Sequence, residues 1–171
     1  MRLLYLTSVW IHVLAATLWI GGLFFIVLVV VPWLRSAGRA GSVDAGAFLR
    51  ETGERFRAVG WICFGLVLVT GTFNLWVRGV RLEHLVDPGW WTSGFGSAVG
   101  LKLVAFVVVI VVSLIHDFRV GPAATAALRE DPRSPEAAAL RRQASLLGRL
   151  NGVLALVLVA LGVVIVRGWP V

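Results

Sequence analysis

A single histidine, His12, lies inside an uncharged run from Leu3 to Leu34. Ionisable groups within a membrane-crossing segment are costly, usually face a protein interior or a polar cavity, and mark ion paths, ligand sites or redox centres. The chain around it reads His12-Val-Leu-Ala-Ala-Thr-Leu-Trp19-Ile-Gly21-Gly22, which puts Trp19 two helical turns from His12 on the same face. Tyr5, His12, Trp19, Ile26 and Trp33 recur every seven residues, so one stripe gathers most of the polar and aromatic groups of this helix. Ala15, Ala16, Gly21 and Gly22 beside it are small enough to admit another helix backbone or a flat ligand.

The other groups able to do chemistry are few. Cys63, Val67, Thr70 and Asn74 line one face of a second apolar run, and Lys102 begins a third. His84 follows the second run, and His116-Asp117 closes the third. At ~1.5 Å per residue, His12 and His116 differ in depth by on the order of 20 Å, too far to share one metal ion or one haem iron. The expected site is therefore His12, Trp19, Asn74 and Lys102, with His12, His84, His116 and Cys63 as the candidate metal ligands. Blander roles stand beside these. His12 could donate one hydrogen bond between helices, Lys102 could extend its ammonium to the headgroups, and His116-Asp117 could end a helix by pairing Asp117 with Arg119 or Arg149. No hydrolase triad, phosphate-binding loop, dinucleotide turn or cysteine-rich metal spacing occurs.

The elements that position these groups are membrane helices. Of 171 residues, 58% are hydrophobic and 15% charged, and the mean hydropathy is +0.89, which excludes an ordinary soluble core. Four spans are expected, at about 3–34, 58–77, 97–118 and 146–167, in one integral membrane domain covering 1–171. The first is too long and unbroken for a cleaved signal peptide. The fold class is all-α, a four-helix transmembrane bundle. Eleven of the sixteen Lys and Arg fall in the two links that follow spans one and three, counting Arg149 at the very start of span four. The positive-inside rule then puts both termini outside and both basic links in the cytoplasm of a multi-pass protein. The net charge of +7 is thus a topology signal and an attraction to anionic lipid, with no nucleic acid as partner. One cysteine excludes an intramolecular disulfide and any thiolate-only metal site.

Between the spans, Asp44 to Phe56 has apolar residues at helical spacing and predicts an amphipathic helix running into span two. Trp90, Trp91 and Phe95 in the outer link are expected to anchor at the headgroups. The second basic link should break at Gly121-Pro122 and again at Pro132 to Pro135. Ser134-Pro135-Glu136 then starts a helix that continues into span four. Gly148, Gly152, Ala155 and Gly162 predict tight packing along that helix.

The run His12-x6-Trp19-x-Gly21-Gly22-Leu23-Phe24-Phe25, with Pro32-Trp33-Leu34-Arg35, Arg55-Phe56, Trp61, Thr70-Gly71 and Leu101-Lys102-Leu103, resembles the copper-resistance D (CopD-like) family of bacterial inner-membrane proteins. His12, Trp19 and Lys102 are also similar to positions of the HemJ-like protoporphyrinogen oxidases. The first resemblance implies copper handling or transport across the cytoplasmic membrane with a periplasmic copper-binding partner. The second implies haem b, with His12 as a candidate axial ligand. With one cysteine and one methionine, a Met-rich copper ladder is absent.

Three readings follow. In the first, copper meets His12 with His84 or Cys63 as transient ligands. In the second, haem b sits on His12 beside Trp19 and Gly21-Gly22, with Lys102 or Arg78 near a propionate, and the protein is an oxidoreductase. In the third, the bundle is structural or binds a partner and holds no cofactor. A homo-oligomer is compatible with all three.

Overall fold

The computed structural model describes residues 1–39 and 44–170. Among these residues there is no strand, and four long helices are apolar enough to cross a membrane: Arg2–Leu34, Gly46–Val77, Gly94–Glu130 and Pro135–Arg167. Residues 40–43, within the expected first basic link, lie outside the described residues.

Helix α1 covers Arg2–Phe25 and passes through a π-helical turn, Ile26–Val30, into α2 at Val31–Arg39. Helix α3, Ala45–Val77, begins where Asp44 accepts hydrogen bonds from the amides of Gly46 and Ala47. The expected amphipathic segment and span two are therefore one continuous helix, and Phe48 packs edge-on against Trp33 with ring centres 6.1 Å apart. Two short helices follow, α4 at Leu82–Leu85 and α5 at Pro88–Thr92. Helix α6, Gly94–Ile115, continues through a second π-helical turn, His116–Val120, into α7 at Gly121–Glu130. Helix α8, Pro135–Arg167, starts as expected, with the Ser134 hydroxyl accepting from the Ala137 amide and Pro135 in the first turn.

The expected break at Gly121-Pro122 is absent. Proline lacks an N–H, so a regular helix would leave the carbonyl four residues back unpaired. A wider turn lies just before Pro122, with the Gly121 amide reaching the His116 carbonyl five residues back. Pro32 is met in the same way, where the Val31 amide bonds the Ile26 carbonyl. Single π turns of this kind absorb a disturbance without ending a helix.

Two antiparallel hairpins make the bundle. In the first, His12 meets Gly71, Trp19 meets Gly60 and Gly22 meets Phe56, so numbers fall along α3 as they rise along α1. In the second, Gly94 meets Trp169, Lys102 meets Gly162 and Ser113 meets Asn151. Phe24 against Gly152 joins α1 to α8, and Phe64 against Phe106 joins α3 to α6. The expected small-residue face of α8 is used at three of its four positions, since Gly152 meets Phe24, Ala155 is fully buried and Gly162 lies under Lys102, while Gly148 faces open space. Helices α3 and α8 both end in Val-Arg-Gly, with Gly79 at φ +89° and Gly168 at φ +86°. Only glycine adopts that backbone cheaply.

The buried centre is Ala15, Trp19, Cys63, Phe64, Val109 and Ala155. Outward positions such as Leu14, Leu18, Val104 and Val107 are just as apolar and stay exposed, as surfaces bathed in lipid require.

Candidate functional site

His12 lies against α3 in the half of the bundle nearer the termini. Gly71 makes this approach possible, because a Cβ there would stand 3.2 Å from the imidazole Cε1. The ring Nδ1 is 2.9 Å from the Thr70 hydroxyl, and that hydroxyl stands 2.5 Å from the Leu66 carbonyl, to which it donates. A hydroxyl has one proton. With that proton given to Leu66, the bond to His12 needs the proton on Nδ1, which leaves the Nε2 lone pair bare. This is the arrangement of imidazoles that bind metals, in which the second nitrogen is held by an outer partner. Ser8 completes the contact by donating to the Thr70 carbonyl at 3.4 Å.

Around this ring the expected companions divide. Lys102 is half-buried on α6, with its Nζ over Gly162 of α8. The side-chain carbonyl of Asn74, one turn beyond Thr70, is buried without a hydrogen-bond partner. Trp19 does not join them. It is 7% exposed and packs edge-on against Phe64 with ring centres 5.0 Å apart. The Gly22 face is also filled, since a Cβ there would overlap the Phe56 ring.

Of the other candidate ligands, Cys63 is buried in the floor of an apolar groove between α1 and α3 with Ile11, Leu14 and Leu66. His84 accepts from the Arg81 amide at 3.1 Å and rests against Trp90. Among the described residues, no three His, Cys, Asp or Glu side chains gather where one ion could be held.

A second polar cluster lies at the opposite end, on the π turn. His116 Nδ1 is 2.9 Å from Asp117 Oδ1, Trp61 donates to Asp117 Oδ2 at 3.1 Å, and Arg57 donates to the Asp117 carbonyl at 3.1 Å. Asp117 therefore pairs with Trp61 and His116 and not, as expected, with Arg119 or Arg149. The widened turn sets the Asp117 side chain toward α3, where Trp61 waits. Trp61→Phe removes that donor and is expected to lower stability by about 1 kcal/mol, read as a fall in the unfolding midpoint of detergent-solubilised protein.

Sequence reasoning missed Asn151 and Ser113, whose side chains bond at 3.0 Å between α8 and α6. An asparagine two residues past Arg149, at the start of an apolar run, was the available signal, because buried amides in membrane helices seek partners across helices. Its carbonyl oxygen, like that of Asn74, is buried without a partner.

Between the two clusters stands the apolar centre. Phe64 is met edge-on by Trp19 at 5.0 Å, Trp61 at 5.4 Å and Phe106 at 6.1 Å between ring centres.

Residues 50–166, well over half the chain, match the family described as copper resistance protein D, CopD. The chain belongs to this family. Within a CopD protein the match spans α3 to α8, with Thr70, Asn74, Lys102 and His116, and leaves His12 and Trp19 outside it. The histidine pattern of the first helix, which carries much of the resemblance noted from sequence, thus adds to the family evidence without being part of it. An uncharacterized protein of Aquifex aeolicus (strain VF5) is 34% identical over 160 residues, covering 93% of each chain. No solved structure matches.

Proposed function

We propose that this CopD protein carries copper across a bacterial cytoplasmic membrane, termini on the outer face, and that His12 is a transient ligand on the path. Its family membership supports a copper-resistance role, and the observation that carries the reading is the contact of His12 Nδ1 with the Thr70 hydroxyl, which fixes the ring by one nitrogen and from which we infer that Nε2 is the one offered to a metal. Imidazole suits copper in either oxidation state. Delivery to or from His12 by a soluble copper-binding partner would take place on the termini side. A haem on His12 fits less well, because Phe56 and Phe64 already fill the surfaces beside Gly22 and Trp19 that a macrocycle would need.

Copper(I) uptake into proteoliposomes, followed with an enclosed chelating dye, tests the reading. Thr70→Val removes the outer partner of His12 and is expected to slow uptake about tenfold, whereas Thr70→Ser keeps the hydroxyl and the rate. Wild-type uptake in the valine variant would count against the assignment.

A further inference from the structure

The described residues of the arginine-rich side leave one concentrated set of cations without partners. Arg141, Arg142, Ser145, Leu146 and Arg149 line a groove of about 310 Å³ on α8. Among the described residues the ion pairs are Arg55 with Glu51 and His116 with Asp117, and the arginines over aromatic rings are Arg57, Arg78 and Arg81. None of the three groove arginines takes part in any of these. Other arginines of this side are spread along the chain, but Arg142, Ser145 and Arg149 recur at three- and four-residue steps, one face of a helix.

The depth of the groove decides what it meets. Helix α8 has 33 residues, about 50 Å at ~1.5 Å per residue, against a hydrocarbon layer of about 30 Å. Its uncharged stretch, Leu150 to Val166, begins just past Arg149, so the groove falls at the headgroup level, with Leu146 as an apolar floor for the start of an acyl chain. Guanidinium groups bind phosphate oxygens in paired, charge-assisted hydrogen bonds, and the Ser145 hydroxyl adds a neutral donor. We propose that this groove is a binding site for the phosphodiester headgroup of an anionic phospholipid, held by Arg141, Arg142 and Arg149.

The test uses the full chain in neutral detergent, titrated with phosphatidylglycerol, with phosphatidylcholine and with inorganic phosphate, and bound lipid counted by native mass spectrometry. Phosphatidylglycerol should bind, and its affinity should fall with salt. The variant Arg141→Gln/Arg142→Gln/Arg149→Gln should bind it on the order of a hundredfold more weakly. A charge-matched control, Arg50→Gln/Arg129→Gln/Arg133→Gln, should bind as the native chain does. If the triple glutamine variant does not fold, Arg141→Lys/Arg142→Lys/Arg149→Lys takes its place, expected to bind detectably more weakly because paired hydrogen bonds are lost while charge is kept. Undiminished binding in the groove variants, equal loss in the control, equal binding of phosphatidylcholine, or competition by inorganic phosphate at lipid-like concentrations would each overturn the proposal, the last by showing a site for a free anion.

Discussion

His12→Ala is expected to reduce copper(I) uptake by proteoliposomes on the order of a hundredfold or more while leaving helix content unchanged. Loss of an outer-shell partner alone costs metal sites about 10- to 100-fold, and this substitution removes the proposed ligand itself. Among the described residues, Cys63 is packed into the apolar floor between α1 and α3 and His84 is engaged with Arg81 and Trp90, so neither stands ready as a substitute. Unchanged uptake in the alanine variant would instead make His12 a structural tie between α1 and α3.

The second large effect concerns folding. Gly96→Ala should destabilise the protein by about 1 to 3 kcal/mol or more, lowering the unfolding midpoint by several degrees. A Cβ at Gly96 would stand 1.9 Å from the Trp90 carbonyl oxygen and 2.8 Å from its carbon. Backbone, not a flexible side chain, would have to move. The corner is tied at both ends, with Ser93 donating to the Trp90 carbonyl at 2.6 Å and accepting from the Gly96 amide at 3.0 Å, and Trp91 lying over Gly100. Gly148→Ala is the matched control, since nothing lies within 4 Å of its added carbon. There the better helix propensity of alanine should leave stability unchanged or raise it by up to about 1 kcal/mol. Equal midpoints for the two variants would show that the corner relaxes freely.

Helix count, the Ser134 cap and the run of Asp44 to Phe56 into α3 were legible because caps, proline positions and apolar length are local properties of the chain. The rotation of each helix was not. In lipid the outward face is as apolar as the core, so Leu14 stays exposed while the less hydrophobic Ala15 beside it is buried, and hydrophobicity does not announce which faces inward. Trp19 was therefore placed beside a ligand while it packs on Phe64, and Thr70, read only as one residue on a face of span two, is the direct partner of His12. Asp117 escaped for a related reason, because its orientation depends on a π turn just before Pro122, and proline read from sequence signals an end to a helix more readily than a widened turn. Asn151 and Ser113 are separated by 38 positions, and only the register of α6 against α8 reveals that they meet.

The aromatic centre also fixes how the two hairpins can move against each other. Phe64 of α3 is met edge-on by Trp19 of α1, Trp61 of its own helix and Phe106 of α6, so one ring ties the first hairpin to the second. Each edge-to-face contact is worth about 0.5 to 1.5 kcal/mol beyond simple burial. A slide of one hairpin along the other therefore has to break the Phe64 to Phe106 contact at the middle of the bundle, which makes this ring a pin and the helix ends the freer parts.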